Sequence, residues 1–263
     1  MKLGVCCSVD RAELALSLGA DYVELAASGL NGFEDSWDPA PFQGLPVEAT
    51  NLFFPSEIKL FGSERTDPPV LSSYVSRTLE RAATLGVRLM VIGSGASRRC
   101  PAPGLPVSEA NLEFVRFVGS VQSEARQYGI VIAPESLNRT ETNVGNDLAW
   151  LAGALAEAGA GFTADSFHVL YEWDAGMREG DPGASAPSQG YLARQVPVVP
   201  LHVHFGDLPR SYPRADDPMA RAFCARLKAL GYDGRVSLEC AWDDFERELP
   251  VALDSARKLL RVE

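Results

Sequence analysis

Three carboxylates and one imidazole stand at the ends of successive apolar runs in the second half of the chain: Glu135, Asp165, His204 and Glu239. A lone charge after a buried strand is costly, because burial removes the water that solvates it. If the strand ends converge, three carboxylates cannot all stay ionised without a cation between them. Three oxygens and one neutral imidazole nitrogen suit Mn²⁺, Mg²⁺ or Co²⁺, and also Zn²⁺. The pattern predicts one divalent metal ion, and unconnected salt bridges at the strand ends are the alternative.

A second histidine precedes His204 by two positions, in the sequence His202-Val203-His204. Side chains two positions apart on a strand point to the same side, so both imidazoles face the same space. We expect one of them to bind the metal and the other to pack or hydrogen bond behind it. His202 is the expected non-ligand.

A glycine-rich turn with two arginines follows the fourth candidate strand, in the segment from Gly93 to Arg99. Backbone N–H groups in such a turn, together with a guanidinium group, can hold an anion. This predicts a substrate-binding role for Arg98 and a substrate that carries a phosphate or carboxylate group. A tight turn with solvated arginines is the alternative interpretation.

The elements that must position these groups repeat one order, in which a helical pattern ends at a glycine and an apolar run follows. Glycine at that position adopts the left-handed conformation at little cost. The apolar runs are typical of parallel strands that are buried on both faces. The joins lie at Gly19, Gly86, Gly129, Gly159 and Gly231. Further strands are predicted near residues 2–6, 47–53 and 199–204, which makes eight.

Eight strands that alternate with amphipathic helices indicate an α/β fold, a (β/α)₈ TIM barrel that takes residues 1–263 as a single domain. An open doubly wound sheet is the alternative, although it usually has fewer strands. The carboxyl ends of all barrel strands open on one face, so the four predicted ligands meet there. Two segments rich in glycine and proline, 28–45 and 171–197, follow candidate strands and are predicted to form lids at that rim.

Composition narrows the class of protein and its partners. The 263 residues are 46% hydrophobic, and the net charge is -11. An acidic chain without a basic stripe is a poor nucleic-acid binder, and no apolar stretch is long enough to cross a bilayer. No signal peptide is recognisable, and the five cysteines show no CxxC spacing. We therefore expect a cytoplasmic protein with a small-molecule partner, no nucleic-acid partner and no membrane partner.

The polar residues lie in four short motifs whose order and spacing resemble those of the D-tagatose and D-psicose 3-epimerases, members of the xylose-isomerase-like TIM-barrel superfamily. The motifs are Glu135-Ser-Leu-Asn-Arg-Thr-Glu141, Asp165-Ser-Phe-His168, His204 with Arg210 six positions later, and Val236-Ser-Leu-Glu239. The resemblance extends from about Gly129 to Cys240, whereas the first half of the chain matches that family poorly. The first strand of this chain ends Val5-Cys6-Cys7 and lacks the aromatic residues that shape the substrate pocket of those enzymes.

The resemblance implies a role for each of these residues. Glu135, Asp165, His204 and Glu239 would bind the metal, with Mn²⁺ the expected ion. Glu135 and Glu239 would also act as the acid and base on either side of the reacting carbon. The residues that would bind substrate are Glu141, which would contact a hydroxyl group, and His168 and Arg210, which would hold the carbonyl oxygen.

The same resemblance implies isomerisation or epimerisation of a small sugar or sugar phosphate through an enediolate, in a dimer or tetramer. Two carboxylates on opposite faces of a carbon can remove a proton from one side and return it on the other. Hydroxypyruvate isomerase and inosose dehydratase share this barrel and metal site, so they stay open as alternatives. A barrel that binds metal or sugar without catalysis is the alternative from another class, because fold alone does not establish function.

Overall fold

Eight short parallel strands form the inner sheet of the computed structural model, which describes residues 1–101, 104–175 and 183–261. The strands are β1 (Lys2–Cys6), β2 (Tyr22–Ala26), β3 (Val47–Asn51), β4 (Leu89–Met90), β5 (Val131–Ile132), β6 (Thr163–Asp165), β7 (His202–Phe205) and β8 (Arg235–Leu238). Their order in the sheet is β5-β4-β3-β2-β1-β8-β7-β6. The predicted order of strands along the chain is therefore confirmed.

The sheet closes between β5 and β6, where the pairing is too short to form a regular ladder. The N–H of Gly161 donates to the carbonyl of Ile132 at 3.0 Å, and the N–H of Thr163 donates to the carbonyl of Pro134 at 2.9 Å. A single parallel bridge joins Glu135 to Thr163. These contacts complete the barrel, and the (β/α)₈ TIM barrel predicted from the sequence is the observed fold.

Helices alternate with the strands and cover them with their apolar faces. They are α1 (Ala12–Ser17), α2 (Pro68–Thr84), α3 (Gly95–Arg98), α4 (Val107–Ala125), α5 (Leu148–Glu157), α6 (Ser166–Asp174), α7 (Gln189–Gln195), α8 (Pro218–Ala229) and α9 (Phe245–Leu260). Leu79 on α2 and Leu253 on α9 are fully buried in the layer between helices and sheet. This layer is the main core, and it keeps the strands in register.

The glycine joins are at the predicted positions. Gly129 and Gly159 have φ values of 68° and 72°, which place them in the left-handed region that favours glycine. Regular pairing in β4 and β5 covers only two residues each, fewer than the apolar runs suggested. Backbone pairing between the two chain segments continues beyond these residues. The N–H of Glu135 still donates to the carbonyl of Ile92 at 3.1 Å. Glu135 is thus held at the end of its strand by backbone pairing.

The first predicted lid, residues 28–45, is anchored to α2. Arg81 on α2 is buried and its guanidinium donates hydrogen bonds to four backbone carbonyls of the segment. The accepting residues are Leu30, Asn31, Glu34 and Asp35. The contacts hold the backbone of residues 30–35 against the helix.

The second predicted lid, residues 171–197, contains more helix than the sequence suggested. Helix α6 continues to Asp174, and α7 spans Gln189–Gln195. Asp165 and Ser188 cap the two helices with their side chains, which explains where each helix begins. Residues 176–182 of this segment lie outside the described residues.

The structure also bears on membrane-spanning helices and on the cysteines. No helix in the described ranges is both long and apolar enough to span a membrane. All five cysteines are free thiols.

Candidate metal centre

The four predicted ligands come together at the carboxyl ends of β5 to β8. One ligand atom from each of Glu135, Asp165, His204 and Glu239 lies within 4.8 Å of the other three. The first three residues are buried, while the side chain of Glu239 is 21% exposed and opens the cluster to solvent. Adjacent parallel strands end side by side, so residues far apart in sequence become neighbours here.

Asp165 tests whether this cluster suits a cation. Its Oδ1 caps α6 by accepting a hydrogen bond from the N–H of Phe167 at 2.7 Å. Its Oδ2 is buried and makes no hydrogen bond with the residues that the structure describes. Burial and the charges of Glu135 and Glu239 raise the pKa of Asp165 well above its usual value, although Arg210 opposes them. The Oδ2 oxygen lies 3.4 Å from Nε2 of His168 and 3.5 Å from Nη1 of Arg210 but makes a hydrogen bond with neither. Together with two more carboxylates and an imidazole, it is part of a ligand set that a divalent cation satisfies. The residues fit the metal that the sequence predicts.

Glu135 and His204 are in direct contact. Nδ1 of His204 lies 3.2 Å from Oε1 of Glu135 and 3.5 Å from Oε2 of Glu239. Burial raises the pKa of Glu135, but the charge and hydrogen bond of His204 outweigh it and lower the value to about 2. Gly93 leaves space for this carboxylate, since a Cβ at that position would lie 2.8 Å from Oε2 of Glu135.

His168 lies one turn into α6 and faces the same cluster. The backbone N–H of Asn138 donates to its Nδ1 at 3.2 Å, so the neutral ring carries its proton on Nε2. That nitrogen lies 3.4 Å from Oδ2 of Asp165 and 3.9 Å from Oε1 of Glu135. Burial lowers the pKa of His168 to about 3 despite the charge of Glu135. His168 therefore presents a neutral N–H donor to the site at neutral pH.

Arg210 joins the remaining predicted residues. Its Nη1 donates to Oε2 of Glu239 at 2.7 Å, and its Nη2 lies 3.4 Å from Oε1 of Glu141 and 3.2 Å from Nε2 of His168. The guanidinium carbon lies 4.0 Å from the ring centroid of Phe167. Burial lowers the pKa of Arg210, but the carboxylates of Asp165 and Glu239 raise it above its usual value. Arg210 thus supplies a permanent positive charge at the mouth of the cluster.

Arg98 does not occupy the position that an anion-binding role requires. It is fully buried, and its Nη2 donates to the backbone carbonyl of Glu135 at 2.6 Å. Its guanidinium carbon lies 5.1 Å from the ring centroid of Phe114. Ser94 adopts a left-handed conformation with φ 44°, and the short helix that follows carries Arg98 inward. Arg98 therefore does not form the predicted substrate contact and supports the backbone of Glu135 from behind.

Three residues that the sequence did not single out also touch the cluster. Asn51, at the end of β3, donates to Oε1 of Glu239 at 3.1 Å. The sulfur of Cys6, at the end of β1, lies within 4.8 Å of ligand atoms of His204 and Glu239. Glu24 on β2 is fully buried and contacts His204 from below. A charged residue inside a buried strand needs a partner. The position of Glu24 within an apolar strand was therefore a sequence signal that could have marked it as part of the site.

Metal binding is expected to raise the thermal stability of the protein. A ligand at 100 times its Kd that binds only the folded state adds about 2.7 kcal/mol. For a domain of this size, that corresponds to a rise in Tm of roughly 5–10 °C. Thermal unfolding of chelator-treated protein, with and without added Mn²⁺, Mg²⁺, Co²⁺ or Zn²⁺, measures the shift. A midpoint that none of these ions changes would contradict the metal centre.

Asp165→Asn provides the matched control for this measurement. Asparagine keeps the oxygen that caps α6 but removes the charge from the buried carboxylate. Because the folded state raises the pKa of Asp165, ionisation at neutral pH destabilises the metal-free protein, and this cost is absent below the unfolded pKa. We expect the metal-free variant to be at least as stable as the wild type at pH 7, and to gain little from added metal.

The fold is shared with sugar epimerases of known structure. The chain matches a D-psicose 3-epimerase from Clostridium cellulolyticum solved with D-tagatose, at 20% identity and a TM-score of 0.75, over 100% of both chains. It also matches a 3-keto-D-glucoside 4-epimerase from E. coli at 18% identity and a TM-score of 0.69, over 98% of this chain and 99% of that one. The IOLI protein with a binding zinc atom matches at 18% identity and a TM-score of 0.59, over 98% and 96% of the chains.

At these identities the structural matches establish the barrel fold and nothing finer. A search of curated protein sequences finds no significant match. A family model for the xylose isomerase-like TIM barrel matches residues 12–261, which is nearly the whole chain. The protein is therefore a member of the xylose isomerase-like TIM barrel family.

Proposed function

We propose that the protein is a divalent-metal-dependent isomerase or epimerase that acts on a small sugar or sugar-like ketose through an enediolate. The observation that carries the proposal is the cluster of Glu135, Asp165, His204 and Glu239. Within the described part of the chain, a buried oxygen of Asp165 in this cluster makes no hydrogen bond. Two of the similar structures are, by their names, sugar epimerases. That similarity supports the sugar class of the substrate.

The four residues of the cluster would hold the metal ion, with Mn²⁺ as the first ion to test. When bound, the ion supplies Lewis-acid stabilisation for negative charge that develops on a substrate oxygen. Side chains of the protein would carry out the proton transfers and bind the substrate. Glu135 lies in the cluster in contact with His204 and would act as a base in its ionised form.

Glu135 and Glu239 would form the acid and base pair. One carboxylate takes the proton from the carbon next to the carbonyl group, and the C–H electron pair becomes the carbon–carbon double bond of the enediolate. The carbonyl π electrons move onto oxygen. The other residue, in its protonated form, then returns a proton to the opposite face of the carbon and inverts the centre. Solvent restores both carboxyl groups to their starting states.

His168 and Arg210 would bind the oxygen on which this charge develops. His168 presents a neutral Nε2–H into the site, and Arg210 adds a fixed positive charge beside it. Donors that are already in place stabilise a developing oxyanion without reorganisation. Glu141, 39% exposed and paired with Arg210 at 3.4 Å, is placed to accept a hydrogen bond from a substrate hydroxyl group.

Incorporation of solvent deuterium tests this function. Chelator-treated protein is loaded with Mn²⁺ and incubated in D₂O with ketoses, ketose phosphates and hydroxypyruvate. Mass spectrometry and NMR of the recovered compounds then identify the labelled carbon. We expect label at the carbon next to the carbonyl group with at least one sugar. The controls are the metal-free protein and the Glu135→Gln, Glu239→Gln double variant, which should both leave the compounds unlabelled.

The outcome also separates the alternatives. A labelled ketose with an inverted centre identifies an epimerase, whereas an aldose or tartronate semialdehyde product identifies an isomerase of a ketose or of hydroxypyruvate. If the protein binds metal but labels no compound in the panel, the epimerase proposal fails for these substrates. The chain would then stand as a metal-binding barrel.

A further inference from the structure

A chain of buried hydrogen bonds lies inside the barrel beneath the candidate metal centre. Its members are fully buried: Tyr22 and Glu24 on β2, His202 and His204 on β7, and Ser237 on β8. Oε2 of Glu24 accepts a hydrogen bond from the Ser237 hydroxyl at 2.5 Å and lies 2.8 Å from Nε2 of His202. Oε1 of Glu24 lies 2.9 Å from Nε2 of His204. Barrel interiors are usually filled with branched apolar side chains, so this polar layer is unusual.

Gly4 allows the network to cross the barrel interior. On strand β1, Gly4 pairs with Tyr22 on one side and with Ser237 on the other. A Cβ at this position would lie 2.5 Å from Cζ of Tyr22, so only glycine leaves room for the ring. The Tyr22 hydroxyl thereby reaches 2.7 Å from Oγ of Ser237. The network is continuous from β2, past β1, to β8.

The chemistry of a carboxylate decides how His204 is oriented. An ionised carboxylate only accepts hydrogen bonds, so Nε2 of His204 must carry the proton that it shares with Glu24. The opposite nitrogen, Nδ1, faces Glu135 at 3.2 Å and Glu239 at 3.5 Å, so in the metal-free protein it shares a second proton with these carboxylates. A bound cation would take the place of that proton. A metal-binding histidine commonly donates its second N–H to a carboxylate, which orients the ring and strengthens the ligand.

We infer that Glu24 is the positioning residue of the metal centre: it holds the Nε2 proton of His204 and thereby presents Nδ1 as the metal ligand. This inference rests on the metal binding proposed above, and it adds a residue from the first half of the barrel, which carries none of the sequence motifs. It also assigns a role to His202, which the sequence left as a non-ligand histidine.

His202 and Ser237 restrain the carboxylate of Glu24 from the side opposite His204. Both donate to Oε2, while His204 alone donates to Oε1. With one oxygen fixed in this way, the carboxylate cannot rotate away from His204. Nδ1 of His202 is buried and has no hydrogen-bond partner among the described residues. Nε2 is therefore the nitrogen through which His202 donates to Glu24.

Glu24→Gln tests the inference through metal affinity. The glutamine amide has one accepting oxygen, and the two donors His202 and Ser237 hold it at the Oε2 position. Its NH₂ group then faces Nε2 of His204. Titration of metal-free protein with Co²⁺, followed by the visible ligand-field absorption of the ion, should show an affinity about 10- to 100-fold lower than in the wild type. The shape of the spectrum should also change, because the His204 ring is no longer fixed.

Tyr22→Phe is the matched control. It removes a buried hydroxyl group from the outer end of the same network but leaves the three donors to Glu24 in place. We expect Co²⁺ affinity and spectrum close to those of the wild type, even if thermal stability falls. Ser237→Ala removes one of the three donors to Glu24, and its Co²⁺ affinity should lie between those of Glu24→Gln and Tyr22→Phe. An affinity in Glu24→Gln equal to that in Tyr22→Phe would overturn the inference.

A second measurement needs no variant and so holds if Glu24→Gln does not fold. The chain has three histidines, so long-range ¹H–¹⁵N NMR of the Zn²⁺-loaded wild type can resolve every imidazole. We expect His204 to show a slowly exchanging Nε2–H and a metal-shifted Nδ1. Coordination through Nε2 would overturn the inference. Neither readout involves a substrate, so failure of the proposed epimerase activity would leave both results interpretable.

Discussion

Glu135→Gln is expected to lower the rate of substrate interconversion by about 10²- to 10⁴-fold, the usual contribution of a positioned acid or base. Glutamine keeps an oxygen that can face the metal but cannot accept the carbon-bound proton. If each carboxylate serves one face, the variant should lose deuterium exchange from one epimer and retain it from the other. The measurement is deuterium uptake in D₂O, started separately from each pure epimer.

Glu239→Gln should give the opposite result. It should keep deuterium exchange from the epimer that Glu135→Gln cannot exchange, and lose it from the other epimer. Both variants must be compared at equal metal content, measured by atomic absorption, because both residues are also proposed ligands. Glu48→Gln is the matched control. It lies on β3 at the opposite end of the barrel, where it pairs with Lys2 and Arg235, and should retain full activity. Loss of exchange from the same epimer in both glutamine variants would contradict the two-carboxylate mechanism.

Arg98→Ala is expected to destabilise the fold by about 3–5 kcal/mol, because it empties a large buried volume and leaves buried carbonyl groups without a donor. Arg98 is fully buried and donates to the carbonyl of Glu135 at 2.6 Å. For a domain of this size the midpoint of thermal unfolding should fall by roughly 6–20 °C. Calorimetry of the metal-free protein measures the effect without interference from metal binding.

Arg99→Ala is the control, because the side chain of Arg99 is exposed and donates to the carbonyl of Thr140 at 2.7 Å. Its effect should stay within about 0.5 kcal/mol, as is usual for surface substitutions. The opposite result would support the anion-binding role that the sequence suggested for Arg98. Arg98→Ala would then leave the midpoint of thermal unfolding unchanged and raise the KM for a phosphorylated sugar selectively.

The barrel could be predicted because its sequence signals are local. Glycine at the helix ends and apolar runs after them reflect backbone conformation and burial on both faces, and both repeat along the chain. Strand ends were less predictable. The apolar run after Gly129 continues to Pro134, but the regular strand covers only Val131 and Ile132, although the N–H of Glu135 still donates to the carbonyl of Ile92.

The cluster of four polar residues could be predicted for a related reason. In a parallel barrel every strand ends on the same face, so polar residues at four successive strand ends must become neighbours. His168 and Arg210 were found through motif spacing, and both lie beside the cluster. Glu24 and Asn51 were missed, because no motif marks them and each reaches its partner across the barrel.

The barrel, the four polar strand ends and their convergence follow from local patterns along the chain, because periodicity and burial cost act on each segment separately. The directions of individual side chains follow from packing between segments. The left-handed Ser94 turned Arg98 inward, where it contacts Phe114, and thereby removed it from the predicted substrate site. Partners for a buried polar group come from whichever strand lies opposite, so the contact between Glu24 and His204, 180 positions apart, depends on how the barrel closes.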